Sequence, residues 1–176
     1  MDDELEVLLY GHPMLRRKCA PVEVFDDALR EFVKRMEKSM FAERGIGLAA
    51  PQVGDTRRIF LAEDQREGNF RVIPFVNPEI TFQSTERDKF NEGCLSFPEL
   101  FADVDRPVRI KVRYQDLEGN EQELEDDGLL ARIVQHEFDH LEGTLFVDHL
   151  SMLKRKLIAK KLKEFQRLAR EQQERG

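Results

Sequence analysis

The chain has 176 residues, 40% of them hydrophobic and 36% charged, with a net charge of -7. That length suits one domain with a core of its own, and the longest apolar runs are too short to span a membrane. Residues 151–176 hold nine Lys and Arg against three Glu, a net of +6, which leaves -7 - 6 = -13 on residues 1–150; so acidic a body excludes a general DNA binder.

The opening MDDELEVLLYGH starts on acids and has neither the basic stretch nor the apolar core of a signal peptide. Two cysteines, Cys19 and Cys94, make no disulfide framework in a chain of this size. A reducing cytoplasm is the expected setting.

In chain order, the first element is a helix over FDDALREFVKRMEKSMFAE. Ala28, Leu29, Phe32, Val33, Met36 and Met40 recur at helical spacing behind Asp26 and Asp27, which suit an amino-terminal cap. GIGLAAPQVGD then reads as an irregular glycine-rich segment. RRIFLAED and RVIPFVNPEITFQ read as short strands interrupted by Pro74 and Pro78. NEGCLSFPEL reads as a loop carrying Cys94 ahead of a proline turn.

Val108, Ile110, Val112 and Tyr114 alternate with charged residues, and DLEGN behind them favours a hairpin with one wet face. A helix is predicted from about Asp127 to Leu141, stopped by Gly143. Its apolar residues go most of the way round, so it belongs in the core. The last element is a long basic helix over residues 151–176, with an apolar stripe and part of the same domain as residues 1–150. Strands in the middle and helices on either side, without regular alternation, indicate an α+β fold: mixed or antiparallel strands packed around a central metal-binding helix.

The chemistry concentrates in QHEFDHLEGTLF, residues 135–146. HEFDH fits His-Glu-x-x-His, in which two imidazoles four residues apart share a helix face and hold a metal beside a carboxylate base. A metzincin protease would place a third His where Phe146 stands, so the remaining ligand comes from elsewhere. Cys, His, Asp and Glu qualify. His12, His149, Cys94, Glu164 and Glu171 are the candidates, and on local sequence each also has an ordinary structural reading.

Three segments, GIGLAAPQ (45–52), EGCLS (92–96) and QHEFDHLEG (135–143), together resemble the signature motifs of the peptide deformylases, in order and complete. The likeness runs from HPMLRRKCAPV to the end of the metal helix. The long carboxyl-terminal helix resembles the type of this family common in Gram-negative bacteria. The resemblance implies hydrolytic removal of the formyl group from the N-formylmethionine of new proteins. It implies Cys94, His136 and His140 as ligands of one divalent ion, ferrous iron in most of the family, with zinc, nickel or cobalt able to take its place.

It further implies Glu137 as the base, with the Gln52 amide and the Leu95 N–H donating to the formyl oxygen. Ile46, Gly47 and Gly93 would pair with the peptide backbone, and Ile46, Leu129 and Ile133 would receive the methionine. Glu92 with Arg106 reads as an ion pair bracing the Cys94 segment, and Asp139 as a structural or exposed residue. N-Formylmethionyl nascent peptides are the implied partners, with ribosome contact through the basic helix. Two readings from other classes remain: a protease built on the same motif, with a ligand from the last helix, and a metal-stabilised module docking on RNA.

Overall fold

A computed structural model describes residues 4–68 and 70–176. Helix α1, Asp27–Ala42, is capped by Asp26, whose carboxylate accepts the Leu29 N–H at 2.9 Å. Leu29, Val33, Met36 and Met40 are its buried face, while Ala28 faces solvent, one position off the expected stripe. Seven strands follow, among them β1 (Gly47–Ala49), β2 (Ile59–Asp64), β3 (Arg71–Gln83), β4 (Arg87–Cys94) and β5 (Phe97–Pro107). The last two are β6 (Ile110–Gln115) and β7 (Glu121–Asp126), and helices α2 (Leu129–Leu141) and α3 (Met152–Arg175) complete the chain.

The strands form an antiparallel sheet in the order β1-β2-β3-β6-β7 and a separate β4-β5 hairpin. Strand alternation decides what each sheet face meets. From β2, Ile59 and Leu61 turn to the α1 residues, whereas Phe60 and Ala62 turn to Leu130, Ile133 and Val134 of α2. The sheet is therefore clamped between two helices, with α2 buried on nearly every side. A third apolar cluster joins Phe97 and Val104 of the hairpin to Phe146 and to Phe165 of α3.

Four local expectations need correcting. The segment of Pro74 and Pro78 is one strand of 13 residues. Pro74 lies beyond the β3-β6 ladder, which starts at Val76, and Pro78 falls within a bulge, so neither missing N–H breaks a ladder. Asn77 holds that bulge with φ 51°; its side chain accepts from Val22 N and donates to Val22 O and Gln115 Oε1. GIGLAAPQVGD is only partly irregular, since Gly47–Ala49 pair with Phe60–Ala62 as an edge strand.

Cys94, finally, ends a strand instead of sitting in a loop. Helix α2 also starts at Leu129 and not Asp127, because Asp126 accepts from the N–H groups of Gly128 and Ala131 and sets the first turn there. Beyond the end of α2, Gly143 has φ 75°, and a Cβ there would meet the Arg16 carbonyl oxygen at 2.6 Å. Among the described residues no helix is long and apolar enough to cross a membrane.

Candidate metal centre

Helix α2 supplies two of the three donors and β4 the third. One turn separates His136 from His140, so both imidazoles leave the helix on the side facing the β4-β5 hairpin, and Cys94 ends β4 there. The candidate ligand atoms of Cys94, His136 and His140 all lie within 4.8 Å of one another, with Cys94 Sγ 3.4 Å from His140 Nε2. Both imidazoles are buried.

His136 is held from behind, whereas the buried Nδ1 of His140 has no hydrogen-bond partner among the described residues. Glu92 Oε1 is 2.9 Å from His136 Nδ1, which leaves Nε2 facing the cluster. Arg106 clamps the same carboxylate through Nε at 2.7 Å and Nη2 at 3.0 Å, and Arg132 Nη1 donates to it at 3.1 Å. Burial alone would raise the Glu92 pKa, but hydrogen bonds with His136 and Arg106 outweigh it and hold it at about 2. Arg106 also donates to Asp139 at 2.8 Å, and Asp139 contacts His149 Nε2 at 2.8 Å. Asp139 is thus a braced structural residue, and a polar chain runs from the surface to His136.

The two imidazoles are pushed apart in basicity. Burial lowers His140 well below the usual range; burial works the same way on His136, but its contacts with Cys94 and Glu92 raise it well above. Glu137 is buried beside them, with Oε1 3.6 Å from His136 Nε2 and Oε2 without a protein partner. Desolvation raises its carboxyl to about 7.

The Gln52 Oε1 accepts from Ala49 N at 2.9 Å, which aims Nε2 at Ser96 Oγ, 3.0 Å away, and at Cys94 Sγ, 3.5 Å away. A cavity of about 510 Å³ opens in front, lined by Ile46, Gly47, Gly93, Leu95, Leu129, Ile133, Cys94, His136 and Glu137. Gln52 and His140 do not line it, and sit behind Cys94. Gly47 is required for close approach: a Cβ there would meet Ile133 Cγ2 at 2.9 Å and Glu137 Cγ at 3.1 Å.

Sequence reasoning missed Ser96 and Arg132. Ser96 closes the EGCLS motif but was given no role. Arg132 carried a signal: a cation on an otherwise apolar helix, one turn before His136, requires a buried anion, which is Glu92. His12 caps a short turn through Met14 N, while Glu164 and Glu171 pair with Arg167 on the exposed side of α3, away from the cluster.

The donor set fits a metal ion. One thiol and two imidazoles suit zinc or ferrous iron, and the neighbouring Glu137 oxygen has no protein group to satisfy it. Fold and site together define a candidate metal centre of the His-Glu-x-x-His kind, with a cysteine beside the two imidazoles.

Comparison with known proteins narrows the class. A model of the polypeptide deformylase family matches residues 4–156. A peptide deformylase of Phenylobacterium zucineum is 45% identical over 93% of this chain and 98% of its own length. One of Thermotoga neapolitana is 45% identical over the same shares of the two chains. The crystal structure of the Thermus thermophilus enzyme superposes with a TM-score of 0.87 at 40% identity, covering 94% of this chain and 99% of that one. A plant peptide deformylase reaches 0.90 at 36% identity, over 96% and 92%. The chain belongs to the polypeptide deformylase family, and its activity is the hydrolytic removal of the formyl group from the amino terminus of formylated nascent peptides.

Proposed function

We propose that the deformylation is metal-dependent and runs on the residues of this one cluster. Cys94, His136 and His140 hold a single divalent ion, ferrous iron by family resemblance, with zinc, nickel or cobalt as substitutes. Such an ion supplies Lewis acidity toward water and toward the formyl oxygen.

The protein residues do the rest. Glu137 takes a proton from the attacking water and returns it to the departing amine. Its buried Oε2 is free to do so. Charge gathers on the formyl oxygen, and the Gln52 amide and the Leu95 N–H are the protein donors for it. Gln52 Nε2 points at Cys94 and Ser96, so donation to the formyl oxygen requires the amide to turn from the Ser96 hydroxyl.

Formylated peptide lies along the edge strand β1, pairing with Ile46 and Gly47 on one side and the Gly93 backbone on the other. β1 is unpaired on its outer side in the sheet order. The methionine side chain enters between Leu129 and Ile133, with Ile46 at the mouth, 41% exposed.

The observation that carries this reading is the convergence of the Cys94, His136 and His140 donor atoms within 4.8 Å beside the unpartnered Glu137 oxygen. The test pairs elemental analysis of anaerobically purified protein with formate release from a formyl-Met peptide. Wild type should carry about one ion per chain. Glu137→Ala should keep the ion and lose at least about a hundredfold in turnover; wild-type turnover in that variant removes Glu137 as the base, and full metal content in Cys94→Ala removes the ligand assignment.

The acidic body, the free thiols and the nascent-chain substrate support a cytoplasmic setting. Contact with the ribosome is assigned to the first half of α3. There Met152, Leu153 and Leu157 are 75%, 69% and 77% exposed among Lys154, Arg155, Lys156, Lys160 and Lys161.

A further inference from the structure

The geometry points to Phe101 as a specificity-determining residue that reads the second residue of the substrate and favours an apolar one. This rests on the reading above, in which the peptide extends along β4 with its methionine directed at α2.

β4 is paired only to β5, so its other edge is open at Gly93. Side chains alternate along a strand. Glu92 turns inward to His136, so Gly93 presents the opposite face. Phe101 is directly opposite Gly93 in the β4-β5 register and shares that face, while its neighbours Leu100 and Ala102 turn to the apolar cluster.

The ring does not stand upright on its own strand. A Cβ built on Gly93 would meet Phe101 Cε1 at 2.5 Å and Cδ1 at 2.7 Å, so the ring is folded across Gly93 toward the open edge. It lines the cavity, is 63% exposed and joins no core cluster.

A peptide added along this edge alternates in the same way. With the methionine turned toward Leu129 and Ile133, the second side chain turns to the Gly93 face and meets the Phe101 ring. The third turns back. The next outward pair along the hairpin is Asn91 with Asp103, joined at 3.1 Å, which places an acid on this face and disfavours an acidic second residue.

The experiment compares kcat/KM for formyl-Met-Xaa-Ser with Xaa as Phe, Leu, Ala or Asp, using metal-loaded wild type, Phe101→Ala and Phe101→Lys. Wild type should favour Phe and Leu over Ala by about three- to tenfold, carried in KM, with Asp poorest. Phe101→Ala should bring Phe and Ala to near equality, and Phe101→Lys should raise Asp above Ala. An unchanged Phe-to-Ala ratio in Phe101→Ala, or no preference in wild type, overturns the inference while leaving the site reading intact. Failure of loaded wild type to act on every one of the four peptides would overturn the site reading, and this inference with it.

Discussion

Glu92 braces the candidate metal cluster from three sides. One carboxylate answers His136, Arg106 and Arg132 at once, all of them buried. Glu92→Gln would leave Arg132 without an anion, Arg106 with Asp139 alone and His136 without a charged partner. The expected result is a stability loss of about 3 kcal/mol and metal binding weakened by about ten- to a hundredfold. Chemical denaturation and competition with a chelator measure the two separately; unchanged metal affinity would show that His136 is oriented by packing alone. A second residue carries a pH prediction. Asp64 accepts hydrogen bonds from Arg66, chiefly, and from Arg71, and its pKa is lowered from 3.8 to about 2. A depressed carboxylate stabilises the fold fully above its unfolded pKa, and the contribution fades as pH falls from about 4 through 2. Both arginines face solvent, so screening leaves about 1 kcal/mol at neutral pH. Asp64→Asn should lose that amount at pH 7 and converge on wild type near pH 2, as read by urea titration at each pH.

At the scale of elements, β1 matters beyond its length because its backbone lies against α2 and the proposed base Glu137. Gly47→Ala would insert a methyl group 2.9 Å from Ile133 Cγ2 and 3.1 Å from Glu137 Cγ. Both belong to a helix packed in the core, so the side chains must give way, and Glu137 moves with them. Turnover should fall about a hundredfold, with stability down by only about 1 to 2 kcal/mol. Wild-type kcat in that variant would mean that the position of Glu137 is not set by this contact. The same strand illustrates where the sequence was readable. α1 and the β6-β7 hairpin were legible because one face of each is wet, which prints a period of 3.6 or 2 on the chain. β4 was not: five of its eight residues are exposed in a row, so RDKFNEGC shows no alternation until Glu92 turns in. β3 was hidden by its prolines, whose tolerance depends on a ladder that starts only at Val76 and on a bulge held by Asn77. The imidazole pair was legible because helical spacing is local. Cys94 reaching it across forty-two residues was supplied by family likeness, and the Glu92 contact to His136 by neither.

For the whole molecule, the question is what α3 contributes, since the family match stops at residue 156, soon after the helix begins. Its buried stripe runs through Ile158, Leu162, Phe165, Ala169 and Gln172, at alternating steps of four and three, as a helix laid on a body requires. Phe165 meets Phe97, and Gln172 accepts from Leu9 N and donates to Val7 O, tying down the amino-terminal segment. The anchoring therefore runs from Ile158 onward, and the first turn and a half of the helix is left basic and apolar at the surface. No metal donor comes from it. Removing residues 151–176 should thus cost about 3 to 5 kcal/mol through the loss of Phe165 and its neighbours, while the shortened chain keeps its ion and its action on short formyl peptides. A protein with a ligand on α3, as in the protease alternative, would lose the ion instead. A gentler change separates anchoring from docking. Glutamate at Lys154, Lys156, Lys160 and Lys161 leaves the buried stripe intact, so stability and peptide turnover should hold while salt-sensitive ribosome binding disappears. Cosedimentation with ribosomes across a salt series reads this directly, and binding that persists in the charge-reversed variant would remove α3 as the docking element.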